Sequence, residues 1–225
     1  MINSEVWNVI TSEFLLATWE TIYVTLITGL LAFLIGLPLG IILVIGEKDG
    51  IRPLPSILMK FINIIINILR SIPFLILVIL VIPFTRLIVG TSVGTPASIV
   101  PLVIASFPFV ARLIEGSLRE VDSNLIEAAQ SMGASTLQIV KKVMIPEAIP
   151  SLINNATVAM TTILGYSAMS GIIGGGGLGK IAINYGYYRY QYTIMFCSVI
   201  LLVILVGIIQ SLGTYLSKKF DKRLL

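Results

Sequence analysis

Long apolar stretches alternate with short polar ones along the chain, and the apolar stretches lack the two-residue alternation of a half-buried strand. Five of them approach or exceed the roughly 20 residues a helix needs to cross a bilayer core. They are Ile22 to Ile45, about Ile57 to Ile82, Ala97 to Ile114, Ile149 to Ile172 and Tyr192 to Leu216. Unbroken apolar character predicts helices and not barrel strands. A helix also pairs its own backbone groups, which lipid demands. The expected fold is all-α and integral to a membrane, with about five transmembrane helices. Residues 1–21 form an N-terminal outer segment, 22–216 one transmembrane domain, and 217–225 a basic tail.

The segment 115–148 between the third and fourth spans is the longest connection, and it is not low-complexity. Long connections tend to carry function. Asp122, Ser123 and Asn124 are candidate N-caps. Leu125, Ala128, Ala129 and Met132 recur at helical spacing, and Gly133 can end that helix. A second helical stretch, Thr136 to Met144, is expected to stop at a break marked by Pro146. A helix as short as the first is unstable alone and needs a groove to lie in.

Composition supports the membrane class. The 225 residues are 56% hydrophobic and 12% charged, against about 25% charged in soluble domains, and mean hydropathy is +1.01. One cysteine, Cys197, and no histidine exclude an internal disulfide, the usual zinc ligand sets and a histidine proton relay. No metal site and no cofactor are expected in this chain. Met1 to Glu20 holds no Lys or Arg, so the basic start of a cleavable signal peptide is lacking.

The net charge of +4 reads as basic loops and not as a nucleic-acid surface. With the N-terminus outside, the inner segments hold Lys48, Arg52, Arg119, Lys141, Lys142, Lys218, Lys219, Lys222 and Arg223. The outer ones hold Arg86, Lys180 and Arg189. The positive-inside bias therefore predicts N-out and C-in. Trp7, Trp19 and Tyr23, and the cluster Tyr185, Tyr187, Tyr188, Tyr190 and Tyr192, fall on the outer side as an interfacial belt or a docking platform.

The string Glu127-Ala128-Ala129, three residues, Gly133, nine residues and Val143-Met144-Ile145-Pro146 resembles the EAA loop of binding-protein-dependent ABC importer permeases, whose pattern is EAA-x3-G-x9-I-x-L-P. Val143 and Ile145 replace Ile and Leu. The resemblance implies that Glu127, Ala128, Ala129, Gly133 and Ala134 contact a separate cytosolic ATPase. The runs Arg70 to Phe74, Ile82 to Arg86, Ile88 to Ser92 and Gly165 to Met169 resemble the methionine-importer permeases in particular. That resemblance implies a second copy of the chain, two cytosolic ABC ATPase subunits holding ATP and magnesium, an extracytoplasmic solute-binding protein, and a bacterial cell membrane. Methionine, D or L, is the implied solute. Another amino acid, a dipeptide or a phosphonate is the variant reading.

The fourth span is unusually polar, with Asn154, Asn155, Thr157, Thr161, Thr162, Tyr166, Ser167 and Ser170. Such groups either hydrogen-bond between helices or line a path. Thr161, Tyr166, Ser167 and Met169 are the lining candidates, with Met169 as a flexible apolar gate. Arg70, inside the expected second span, is a site candidate by default. Pro73 should kink that helix and free a carbonyl for it.

Gly174 to Lys180 imitates a phosphate-binding G-x4-G-K loop, but Ile181 stands where Ser or Thr would hold magnesium, and a membrane helix precedes it in place of a strand. It reads instead as a tight, flexible outer turn. Rival classes are an ion-driven secondary transporter, which would show internal repeats and midplane acids, and a membrane-embedded enzyme, which would need a nucleophile, base or metal ligand at membrane depth, where the sequence offers no convincing constellation.

Overall fold

The computed structural model describes residues 12–221. Trp7, Lys222 and Arg223, used above for orientation, lie outside them. All regular structure among the described residues is helical. In order it comprises α1 (Phe14–Ile45), α2 (Ser56–Ser71), α3 (Phe74–Val89), α4 (Thr95–Arg119), α5 (Ser123–Ser131) and α6 (Thr136–Ile139). A π-helical turn (Val140–Met144) leads into α7 (Ile145–Ser170). A 3-10 turn (Gly171–Ile173), α8 (Gly177–Ile181), a second π-helical turn (Ala182–Tyr187) and α9 (Tyr192–Phe220) follow. Helix α1, helix α4, the stretch Thr136–Ile173 and helix α9 are long and apolar enough to cross a membrane; α2 and α3 qualify only as a broken pair.

Helix α1 begins at Phe14, inside the segment 1–21 expected to precede the first span, and two further boundaries differ at proline. The second span is not one kinked helix. It breaks at Ile72–Pro73 into two helices of 16 residues, each about 24 Å long and short of a core about 30 Å thick. Proline cannot donate the helical bond and pushes its predecessor into extended backbone; Pro73 caps α3 with φ −56° and ψ 136°. Arg70 thus stands exposed in the last turn of α2, where its charge complements the carbonyl end of that helix. The other proline difference is at Pro146, where the helix continues. The Ile145 N–H donates to the Val140 carbonyl, five residues back. This wide turn shifts the register just before Pro146, whose ring then falls in the first turn of α7, where a donor is not required.

The chain divides into two compact units. The first comprises the described part of Met1–Leu31, with Ile72–Ser106 and Met160–Ile209. Its core joins Phe14 and Ala17 of α1 to Leu178 and Ile181 of α8 and Ile194 of α9. The second comprises Ala32–Ser71, Phe107–Ala159 and the described part of Gln210–Leu225. Its core joins Leu43, Met59, Ile66 and Ala111. A Cβ at Gly40 would stand 2.7 Å from the Ala111 carbonyl oxygen, so the α1 and α4 backbones meet directly, as small residues permit in membrane bundles. Large apolar side chains such as Leu34, Leu87 and Val203 remain exposed at 70%, 85% and 64%. Water would penalise that surface, whereas acyl chains cover it without cost.

Candidate coupling segment and translocation path

In the second unit, α5 is a self-contained projection. The Asp122 carboxylate caps it by accepting from the Asn124 N–H at 2.9 Å. Its last turn closes through Met132 N–H to Ala128 O (3.1 Å), Gly133 N–H to Gln130 O (2.9 Å) and Ala134 N–H to Ala129 O (3.1 Å). Gly133 takes φ +76°, a left-handed turn that a side chain would strain. The Ser135 N–H then donates to Gln138 Oε1 at 2.8 Å, which starts α6.

Ala129 is the buried residue of α5 at 4% exposure, while Leu125 and Met132 are 44% and 81% exposed. Glu127, Ala128 and Gly133 are also exposed, and Ala134 is half-buried. Leu125, Ala128 and Met132 share one helical face, three and four residues apart. The five residues drawn from the EAA pattern thus sit on one short stretch with an apolar face uncovered by this chain. A groove of about 430 Å³ lies beside it, lined by Glu47, Asp49, Gly50, Ile126, Glu127 and Gln130 among others.

A charged ladder that the sequence reading missed ties the base of this projection. Arg119, three residues before the cap, donates to Glu47 Oε2 at 2.9 Å and to Glu115 Oε1 at 2.7 Å. Arg112 donates to Glu115 Oε2 at 2.7 Å and to Asn63 Oδ1 at 2.6 Å. The hydrogen bond from Arg119 holds the Glu47 carboxyl below its ordinary value against the opposing effect of burial. Both members of the Arg119–Glu47 pair are more than 40% exposed, so solvent limits its worth to about 0–1 kcal/mol. The spacing of Arg112, Glu115 and Arg119 at three and four residues on one helix was the available signal.

The polar residues of α7 separate into two roles. In the second unit, Asn155 donates to Ser117 Oγ at 2.7 Å and to Leu113 O at 3.2 Å, and Ser151 donates to Ser117 Oγ at 3.2 Å. These groups hold α7 to α4. In the first unit, Thr161 is half-buried and Ser167 is buried, its hydroxyl donating to Leu164 O within its own helix. The Tyr166 ring stacks on Phe74 at 4.4 Å between centroids. Phe74 was not foreseen; its place directly after Pro73 fixes it at the start of α3. Met169 is 47% exposed, on the same face as exposed Gly165 and Ile172. Arg70 belongs to the second unit and the lining candidates to the first.

The glycine run is held tightly and is not a flexible turn. Gly177 N–H donates to Glu20 Oε2 at 2.7 Å, and Leu178 N–H donates to Thr21 Oγ1 at 2.9 Å. A phosphate would need free amides in this run, and α1 already occupies these two.

The comparisons with known proteins agree with this geometry. Residues 36–225 match the family described as binding-protein-dependent transport system inner membrane component. The probable D-methionine transport system permease protein MetI of Vibrio cholerae is 51% identical over 219 residues, covering 96% of each chain. The D-methionine transport system permease protein MetI of Escherichia coli K12 is 49% identical over 153 residues, 68% of this chain and 70% of that one. Among solved structures, an inward-facing MetNI methionine ABC transporter superposes with a TM-score of 0.91 at 44% identity, covering 99% of this chain and 100% of that one. A bacterial alginate ABC transporter shares the fold at 16% identity with a TM-score of 0.74. The chain belongs to the binding-protein-dependent transport system inner membrane components, a family of ABC transporter permeases.

Proposed function

We propose that the chain is the membrane-spanning subunit of an ATP-driven methionine importer. Two copies enclose the path, two cytosolic ABC ATPase subunits supply the energy, and an extracytoplasmic binding protein delivers the solute. The observation that carries this reading is identity of 51% with a methionine permease over 96% of both chains, together with the uncovered apolar face of α5. The N-terminus lies outside and the C-terminus inside, which puts α5 on the cytoplasmic side with Lys141, Lys142, Lys218 and Lys219.

On this reading the labour is divided as follows. ATP and magnesium belong to the ATPase subunit, and this chain catalyses no reaction. Leu125, Ala128 and Met132 offer apolar contact to that subunit, Glu127 a charged one, and small Ala129 lets α5 pack closely on its own unit. Movement of the ATPase displaces α5, and α4 and α7, joined through Ser117, Ser151 and Asn155, carry the displacement. Thr161, Tyr166 and Met169 of each copy line the path, Ser167 packs behind them, and Met169 closes the path. Arg70 sits at the break between α2 and α3 as a fixed charge at the end of a half-span.

The test is reconstitution of the chain with its ATPase subunit and binding protein in lipid vesicles. ATP-dependent uptake of labelled methionine, abolished by removing the ATPase, is the expected result. Uptake driven by an ion gradient with no nucleotide would contradict the assignment. Competition by unlabelled D-methionine, L-methionine and other amino acids ranks the solutes.

A further inference from the structure

Three features within the first unit converge on the glycine run, which the function above does not use. First, α1 grips the run. Glu20 accepts from the Gly177 amide at 2.7 Å through one carboxylate oxygen and from the Thr95 hydroxyl at 2.8 Å through the other. Thr21 accepts from the Leu178 amide at 2.9 Å. Second, the residue before α4 and the last residue of α7 grip its start: Gly94 N–H donates to Gly174 O at 2.8 Å, and Gly175 N–H donates to Ser170 O at 2.9 Å. Third, the run lies in backbone contact with the end of α7. A Cβ at Gly179 would fall 2.0 Å from the Ala168 carbonyl oxygen, and one at Gly171 would fall 2.5 Å from the Lys180 amide nitrogen. Ala168, Ser170 and Gly171, close in sequence to Met169, meet the run through backbone atoms, while Met169 is exposed.

We propose that segment 174–181 is a fixed backing for the end of α7, and that Glu20 is the positioning residue that locks this backing and so holds Met169 in its closed place. The idea rests on the reading of Met169 as the gate. Glu20 touches neither solute nor Met169; it acts through two donors on separate elements. A carboxylate suits the task because it accepts from both without needing a donor of its own, and hydrogen bonds to a charged acceptor are the strong ones. Glycine suits the run because no other residue lets two backbones approach this closely.

The test uses the permease–ATPase complex in vesicles preloaded with potassium. Variants are Glu20→Ala, the near-isosteric Glu20→Gln, Gly179→Ala, and Gly207→Ala as a control whose added Cβ meets nothing within 4 Å. Nucleotide-free potassium efflux should rise roughly tenfold in Glu20→Ala, the factor expected on losing a hydrogen bond to a charged acceptor. It should rise in Gly179→Ala, rise less in Glu20→Gln, and stay level in Gly207→Ala, with ATP hydrolysis retained in Glu20→Gln. A second readout labels Met169→Cys, in a Cys197→Ser background, with a membrane-impermeant maleimide; adding Glu20→Gln should speed labelling. Unchanged efflux and unchanged labelling in an ATPase-active Glu20→Gln complex would overturn the latch. If Met169→Ala itself causes no leak, the gate reading falls, and the labelling rate still decides whether Glu20 positions residue 169.

Discussion

The glycine run of the first unit and helix α5 of the second are both short pieces hung between membrane helices, yet their surfaces are finished in opposite ways. The run has its Gly177 and Leu178 amides bound by α1, and its residues Gly177, Leu178, Gly179 and Ile181 are buried. Helix α5 buries Ala129 and leaves Leu125 and Met132 in the open. A piece whose backbone and apolar groups are satisfied within the chain serves as a fixed part. A piece that satisfies its backbone but leaves its apolar face bare offers that face to another subunit, as the proposed function holds. On the proposed reading the contrast separates holding from transmitting, and each half can be broken independently.

The largest expected effect comes from the frame that α5 hangs on. Gly40→Leu would drive a side chain into the Ala111 carbonyl and Ile114. Overpacking of this kind costs about 1–3 kcal/mol or more, so the purified chain should lose monodispersity and melt well below the parent in detergent. Next is Glu127→Lys, which should leave the chain folded, with its parental melting temperature, and cut uptake per ATP hydrolysed by roughly tenfold, the size of one interfacial charge reversal. Leu125→Ser with Met132→Ser follows. Removing two exposed apolar groups should weaken co-purification of the ATPase by about 1–2 kcal/mol without lowering the chain's own melting temperature.

The smallest effect belongs to the Arg119–Glu47 pair. Arg119 holds the Glu47 carboxyl below its ordinary value of 4.5. The pair's contribution is therefore complete above pH 4.5 and disappears as pH falls through the lower folded-state value. Glu47→Gln should lower stability at neutral pH by about 0–1 kcal/mol, read as a slightly lower melting temperature, and the gap from the parent should narrow as the medium is acidified past that value. A gap that widened in acid would mean that Glu47 acts through something other than this pair.

Four of the five expected spans and the short helix α5 were legible because they are local. Continuous apolar runs mark helices regardless of partners, and the Asp122 cap, the Ala129 contact and the Gly133 turn lie within about a dozen residues. The hold of α1 on the glycine run was not legible. Glu20 meets Thr95 and Gly177 across separations of 75 and 157 residues, and glycine-rich sequence read alone suggests freedom that a distant carboxylate removes. The prolines mark the middle ground. Each announced a perturbation, but whether the helix breaks, as at Pro73, or continues, as at Pro146, depends on the π-helical turn that precedes the latter.

The most direct test of the central claim, that α5 passes ATPase motion into the membrane helices, is cross-linking across that interface under turnover. A disulfide joining a cysteine at Leu125 or Met132 to the ATPase should form readily, abolish ATP-driven uptake when it forbids relative motion, and restore uptake on reduction. Full uptake with α5 left unlinked under every nucleotide condition, or with α5 labelled by an impermeant reagent from outside the cell, would contradict the account.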